Sequence, residues 1–365
     1  MGNSKSQKSY QDLLATLQEI DERFLSDEWS ISSQQDRALG YRYVMHVLQS
    51  ALLSHFEGDP DWPEWKRIVS PTRKFTGDNS DSIYYETPIR GDRAYRITGN
   101  LAGAVYTSFT IEANAEDGKY ASNNAGAFND EDLDVDADGN YELVLGGPEI
   151  SGNWMALPDD AGRITTRHYF EWPIPCASDQ SLHIPLTIEP LGNPNPIPPW
   201  DDTNIAKAIN RVVNHIKGKT LEGPKPGHAA TPSWVGKKPN YFPTPEMPGD
   251  LAFAAVDAAY SMGRFYLEPG QALVMSGRWP ECRFGNVCIW NRFGQTLDYR
   301  HRKVSLNRSN TVLQEDGSFR IIVSHSDPSE PNWLNTEGLT YGSIFWRFFL
   351  PKGELYPIKA EVINV

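Results

Sequence analysis

Apolar and polar residues alternate with period two in two places far apart in the chain. Tyr141, Leu143 and Leu145 follow Asp138-Gly139, and Phe319, Ile321 and Val323 follow Asp316-Gly317. That alternation predicts strands with one face against a core. Asp-Gly ahead of an extended run is a hairpin signal, because glycine takes positive φ without steric cost. The match continues downstream. Asn153-Trp154 answers Asn332-Trp333, and Arg167-His168-Tyr169 answers Arg347-Phe348-Phe349. Upstream, Tyr95-Arg96-Ile97-Thr98-Gly99 answers Leu273-Val274-Met275-Ser276-Gly277. Anchors in one order, with an offset that drifts from 178 to 180 residues, predict an internal duplication with small loop insertions. The expected fold is mainly β: two related antiparallel units of β-sandwich or jelly-roll type, with N-terminal and inter-unit helices.

A different period rules elsewhere. Leu13, Leu14, Leu17, Ile20 and Phe24 predict a helix over 10–25, after nine residues expected to be disordered. Leu39, Tyr43, Val47, Leu48 and Leu52 predict a second over 33–56, with Ser33 as its N-cap. Both should pack on the β body as a clamp, or form a dimer contact. Ile205, Ile209, Val212, Val213 and Ile216 predict a short helix over 203–217, and a further helix is expected over 250–266. The stretches 184–202 and 223–249 are rich in proline and lack periodicity, which suits arms that wrap a surface or a neighbouring subunit. The resulting division is a helical region at 1–75, a first β unit at 76–183, a Pro-rich linker with two helices at 184–266 and a second β unit at 267–365.

Composition narrows the partners. A net charge of −13 over 365 residues argues against nucleic acid, which needs a basic footprint, and against anionic lipid. No apolar run approaches the ~20 residues of a membrane span. The start of the chain lacks an apolar signal core and there are three cysteines, so a cytoplasmic location is expected. Asp134, Asp136, Asp138 and Gly139 spell half of a calcium loop, but Leu145 stands where the bidentate glutamate belongs. A solvated hairpin is the better reading, and neither a metal nor a cofactor is expected.

Candidate chemistry gathers in the first unit. Gly77-Asp78-Asn79-Ser80-Asp81 and Tyr84 have no counterpart ahead of the second copy. Asp78 and Asp81 lie three apart, so a turn can aim both at one point, and burial can split a carboxylate pair into acid and base. The competing reading is an Asx network that ties the loop to the sheet. His168 lacks a counterpart, since Phe348 takes its place. A titrating side chain gained by one copy is the first candidate for acid–base work, against a satisfied core histidine. Arg167 and Arg347 occupy equivalent positions beside aromatics, where a guanidinium can hold a carboxylate, sulfate or phosphate, or an internal acid. Trp154 and Trp333 can stack on a ligand or plug a sheet end. Tyr84 and Asn79 complete the binding set. Cys282 and Cys288 read as core thiols. No phosphate loop, nucleophile elbow or dinucleotide fingerprint occurs.

Several of these motifs recur together in known families. Gly77–Asp81 with Tyr84, the strand from Tyr95 to Gly99, Gly152-Asn153-Trp154, Arg167-His168-Tyr169-Phe170, Ala272-Leu273 and Asn332-Trp333 make the chain resemble the bacterial domain-of-unknown-function families numbered 1214 and 1254, from about Ser33 onward. Ser80 and Ser82 depart from the Pro and Asn common there, and 338–342 replaces a Pro-rich turn. The resemblance implies a mostly β, two-unit fold with added helices and supplies no catalytic residue. Two functions stay in view: a cofactor-independent enzyme of hydrolase or lyase type on a small organic substrate, anionic or aromatic, and a non-catalytic binder of carbohydrate or a hydrophobic metabolite. In either case a small molecule is the expected partner, and the Pro-rich arms suit exchange within a homo-oligomer.

Overall fold

The computed structural model describes residues 4–223, 225, 231–249 and 254–365. Three helices carry side-chain N-caps. α1 (Lys5–Glu19) starts at Ser4, α2 (Gln34–Ala51) at Ser33 and α3 (Asp202–Lys219) at Asp201, and each cap oxygen accepts a backbone N–H from the first turn. α1 begins at Lys5, inside the stretch 1–9 that was expected to be disordered. The Asp202 carboxylate accepts the N–H groups of Lys5 and Ser6 at 2.9 and 3.0 Å and pins that first turn to the start of α3. α1 and α2 each run on into a wider π turn, Ile20–Phe24 and Leu52–Phe56. The helices share a core of Ile20, Phe24, Tyr43, Val47, Val212 and Ile216, against which Phe293 from the β body packs.

The first nine strands are β1 (Lys66–Arg67), β2 (Ser82–Pro88), β3 (Tyr95–Asn100), β4 (Tyr106–Ala113), β5 (Asn124–Asn129), β6 (Asn140–Leu145), β7 (Trp154–Met155), β8 (Ala161–Tyr169) and β9 (Leu186–Pro190). The remaining eight are β10 (Ala258–Tyr266), β11 (Gln271–Gly277), β12 (Phe284–Trp290), β13 (Ser305–Asn307), β14 (Phe319–Ser324), β15 (Trp333–Asn335), β16 (Tyr341–Phe349) and β17 (Lys359–Asn364). They form four sheets, antiparallel or mixed. Those of the first half are β1-β2-β8-β4-β5 and β7-β6-β3-β9; those of the second are β10-β16-β12-β13 and β15-β14-β11-β17. Adding eight to each strand number from β2 on converts the first pair into the second. A parallel pairing of strands repeats too, β6 with β7 and β14 with β15.

Asparagine explains why one dipeptide recurs in both halves. Asn153 Nδ2 donates to the carbonyls of Asp134 and Glu142, and its Oδ1 accepts the Asp134 N–H. Asn332 does the same with Val312 O, Arg320 O and Val312 N–H. Each amide bolts the approach to a hairpin onto the strand that follows it. Asp136 closes the first hairpin by accepting from Asp138 N, Asn140 N and Asn140 Nδ2, so its carboxylate serves the turn.

Three apolar layers hold the sheets. Ile97, Phe109, Ile111, Leu143 and Ile164 fill the space between the first two, and Met275, Val287, Ile321, Ile344 and Trp346 fill it between the second two. The third layer lies where β2-β8-β4 meets β10-β16-β12: Tyr84, Tyr106, Tyr169, Tyr260, Phe284 and Phe349.

The helix expected at 250–266 is overturned for its described part. Residues 250–253 lie outside the described residues, and Ala258–Tyr266 is strand β10, paired with β16 through nine positions. Ala258, Tyr260 and Met262 face the third layer while Ala259 and Phe265 face the opposite core, a period of two hidden by small residues. At Gly263 a Cβ would stand 2.6 Å from the Phe242 ring and the Tyr241 carbonyl. The second Pro-rich stretch passes there, along the outer edge of β10. Gly236 N donates to Met262 O, Met262 N to Trp234 O and Glu246 N to Tyr260 O. The arm thus covers an edge of its own sheet. No helix among the described residues is long and apolar enough to cross a membrane.

Candidate functional site

Successive residues of a strand point to opposite faces. On β8 that parity sends Arg163, Thr165, Arg167 and Tyr169 toward the second half, and on β16 it sends Phe345 and Arg347 toward the first. Between them lies a cavity of about 310 Å³. Tyr84 and Glu86 of β2, Tyr260 of β10 and Trp290 of β12 add to its walls; His215 and Lys219 of α3 and the 74–77 loop line it as well.

The two arginines of the repeat stand in equivalent registers. Tyr84 lies opposite Arg167 and Tyr260 opposite Arg347. Their charges are handled differently. Arg167 Nη1 donates to Thr110 Oγ1 at 2.5 Å, and Nη2 lies 3.9 Å from Glu112 Oε1. In the second half the position of Glu112 belongs to Trp290, since Arg163 and Ser343 are their partners across equivalent strands. Arg347 is consequently held by rings and carbonyls. Its guanidinium stands 4.3 Å from the Phe345 ring centre and 4.9 Å from that of Trp290, and Nη2 donates to Gly77 O at 2.7 Å. Arg347 is 3 % exposed, and its Nη1 makes no hydrogen bond among the described residues.

The remaining charges of the cavity have neighbours of their own. Arg163 Nη1 donates to Glu86 Oε2 at 3.0 Å. Burial pushes the Glu86 carboxyl up, but Arg163 and His55 outweigh it and leave it at about 2. Burial lowers both lysines to about 8, and lowers His215 well below the ordinary imidazole range. It raises the Tyr84 and Tyr260 phenols, so both remain neutral hydroxyls.

Of the residues singled out in the sequence, Arg167, Arg347 and Tyr84 meet in this cavity. His168 does not. It sits on the other face of β8, fully buried, with Thr166 Oγ1 3.1 Å from Nε2 and Thr107 Oγ1 3.4 Å from Nδ1. Burial lowers it to about 3, which keeps the ring neutral. Asp78, Asn79 and Asp81 are buried behind the cavity wall, where they join the halves. Asp78 accepts from Thr296 N at 2.8 Å and Thr296 Oγ1 at 2.6 Å; Asn286 Nδ2 donates to Asn79 Oδ1 at 2.7 Å and to Asp81 Oδ2 at 3.0 Å. The structure therefore does not bring His168 together with the two aspartates in one cleft. Trp154 and Trp333 lie on the short strands at the ends of the outer sheets, with their indole N–H groups on the carbonyls of Gly146 and Ser324. The basic run after Tyr299 is folded onto Asp298 and stays out of the cavity. Glu171, just beyond β8, is taken by Nε and Nη2 of Arg308 and by Gly285 N.

Sequence reasoning passed over Lys74, Arg163, Tyr169, Lys219, Tyr260 and Trp290. The repeat held a signal for Tyr260, whose place answers Tyr84, but the helix expected at 250–266 concealed it.

The half that supplies Arg347 also carries the one family match. Residues 273–353 match the family described as protein of unknown function, DUF1214. That stretch runs from β11 through β16. Among solved structures, an uncharacterized protein from Burkholderia cenocepacia is 25 % identical, with a TM-score of 0.80 over 98 % of this chain and 96 % of that one. The VPA0106 protein from Vibrio parahaemolyticus is 11 % identical, with a TM-score of 0.50 over 88 % and 98 %, and shares the fold alone. No curated protein matches the chain.

Proposed function

We propose that this protein binds a small organic anion with an aromatic or apolar body, in the cavity between the two facing sheets. Arg347 carries the reading. A buried guanidinium with no carboxylate in ion-pair contact, and felt only through space by Asp78 and Asp81, is costly unless something nearer supplies the negative charge. Its remaining nitrogen is unbonded, and two aromatic rings flank it where a ligand body would stack. A carboxylate or sulfonate offers acceptors that match the guanidinium edge. Binding is favoured over the acid–base reading built on His168, because that imidazole is neutral, twice bonded and turned away from the cavity.

The reading includes an origin. We infer that the two sheet pairs are copies of one sandwich unit, supported by the eight-strand offset and by the matched duties of Asn153 and Asn332. The second unit then starts at β10 and not at 267. The kinship with family 1254 belongs to the same reading, on the Gly77–Asp81 and Tyr95–Gly99 motifs. The cavity lies between the copies, where two similar surfaces face each other and one has exchanged an acid for an indole.

The test uses 1-anilinonaphthalene-8-sulfonate, an aromatic anion whose fluorescence rises on binding, with naphthalene-2-carboxylate as competitor. We expect saturable, competable binding that weakens by about tenfold or more in Arg347→Met, the size of a lost charge-assisted contact. Equal affinity in a folded Arg347→Met variant, checked by circular dichroism, would exclude Arg347 as the anchor.

A further inference from the structure

The wall opposite Arg347 carries two hydroxyls that touch. Tyr84 of β2 and Tyr169 of β8 bring their phenol oxygens to 3.2 Å, and both residues line the cavity. Two hydroxyls bring two hydrogens, and the bond between them uses one. Ser82, next on the same face of β2, is near enough to act on Tyr84, but its hydroxyl makes no hydrogen bond among the described residues. Even with Ser82 joined to the row, three hydrogens serve two bonds and one is left over. The neighbouring phenol of the same layer is different, because Tyr106 gives its hydrogen to Asp257 Oδ2 at 2.6 Å. Burial keeps the Tyr84 phenol protonated, so the spare hydrogen stays in place at neutral pH.

The hydroxyl pair and the guanidinium face one volume from opposite sheets. The Tyr169 ring centre lies 4.4 Å from that of Phe349, two residues on from Arg347 along the same face of β16. On the other side the Tyr84 ring meets Phe75 edge-on at 5.4 Å, and Gly77, two residues further along that loop, receives Arg347 Nη2. Burial apart, Tyr84 and Tyr169 are the groups that act most strongly on Arg347. A cation draws hydroxyl oxygens toward itself and turns their hydrogens away. The spare hydrogen is therefore aimed at a part of the ligand other than the acid group on Arg347. The second half has no such pair. Where Tyr169 stands opposite Ser82 in the first half, Phe349 stands opposite Ala258 in the second.

We propose that the Tyr84–Tyr169 hydroxyl pair holds a second oxygen of the ligand, so that the site takes aromatic acids carrying a carbonyl or hydroxyl oxygen away from the acid group. The inference rests on the binding reading above and narrows its ligand class. An apolar end placed against the pair would bury a hydroxyl hydrogen with no acceptor, which costs free energy. An oxygen there extends the row of hydroxyls by one bond. A carbonyl serves as well as a hydroxyl, because the pair supplies the hydrogen. Arg347 thus selects the charge of the ligand, and the two tyrosines of the first half select what its far end carries.

The experiment is a competition against 1-anilinonaphthalene-8-sulfonate in the intact protein, with matched ligands. 4-Acetylbenzoate and 4-isopropenylbenzoate share an acid group and a shape, and differ by a ketone oxygen in place of a methylene. The 3-substituted pair presents the same difference at another angle. In at least one pair the ketone should bind about fivefold or more tightly, the size of one hydrogen bond. In a variant carrying both Tyr84→Phe and Tyr169→Phe, shown by circular dichroism to be folded, that preference should vanish or reverse. Both substitutions are needed, because either phenol alone keeps its hydrogen. Equal affinity of ketone and alkene in both pairs overturns the inference, and so does a preference that survives the double variant. Arg347→Met separates the two readings. If it leaves every affinity unchanged while the ketone is preferred, the hydroxyl inference stands and the Arg347 anchor falls. If it weakens all the acids while ketone and alkene bind alike to the native protein, the anchor stands and the hydroxyl inference falls. If no acid displaces the fluorescent anion, both fall.

Discussion

Asp81 shows at the scale of one residue what burial does to a carboxylate. It is 1 % exposed, and burial raises it from 3.8 to about 7, with Asn286 and Asn307 holding it back in part. The folded state therefore prefers the protonated acid. Its contribution to stability is fully present below the unfolded value near 3.8 and is lost as pH rises through about 7. Asp78 is shifted in the same direction, again by burial. We expect the urea midpoint to fall between about pH 4 and 7 more steeply in the native protein than in Asp81→Asn, which keeps an acceptor for Asn286 and carries no charge. A variant with an unchanged slope would show that Asp81 ionises normally in the folded protein. The same residues mark how far site reading from sequence can go. Arg167 and Arg347 were legible, because a repeated residue at a strand end invites comparison. The role of His168 was not. Every position of β8 is buried, so period two shows no exposed face, and nothing in the sequence says which side the imidazole takes. Phe348, which holds the matching register, is also a core residue, so the difference at that position is a matter of packing. The exchange of Glu112 for Trp290 needs the register of β4 and β12, which no motif displayed.

At the scale of elements, period and caps decided what could be read. α2 announced itself through Ser33 and an apolar stripe, and α3 through its stripe alone, with the Asp201 cap seen only in the fold. β10 did not, since alanine and glycine suit either element and its pairing with β16 is settled by residues some eighty positions away. The recurring Asn-Trp pair was noticed for its tryptophan, and the asparagine proves to be the member with the clearer task. Each amide makes three hydrogen bonds to backbone groups of two segments. Removing it leaves those groups unpaired, at about 1–3 kcal/mol for a buried site. Asn332 is buried at 3 % exposure and Asn153 is half-buried. Asn332→Ala should therefore destabilise the protein by more than Asn153→Ala does, as measured by urea denaturation. An equal or reversed order would mean that solvent replaces the lost bonds as well at one site as at the other.

For the whole molecule the question is whether the halves are independent. The recurrence of strand motifs was legible, but the order of strands within the sheets and the meeting of the two inner sheets were not, because both faces of those sheets are apolar or buried and sequence period cannot tell a core face from a joint. The joint has two parts. One is the layer of Tyr106, Tyr169, Phe284 and Phe349, with ring centres 4.4 to 5.9 Å apart. The other is the buried loop Asp78–Asp81, whose side chains bond to Asn286 and Thr296 of the second half, while Ile83, Tyr85 and Phe170 continue into that half's core. Separating the halves would expose the rings and strand these polar groups together, so neither half should unfold alone. Native-state hydrogen exchange with added urea is the measurement. Amides of β6, in the outer sheet of the first half, and of β14, in that of the second, should lose protection along one common dependence on urea. A ligand in the cavity between them should shift both by the same free energy, since it binds only when both walls are in place. If β6 opens at lower urea than β14, the halves are separate cooperative units, and the cavity would then be gained or lost with the first of them.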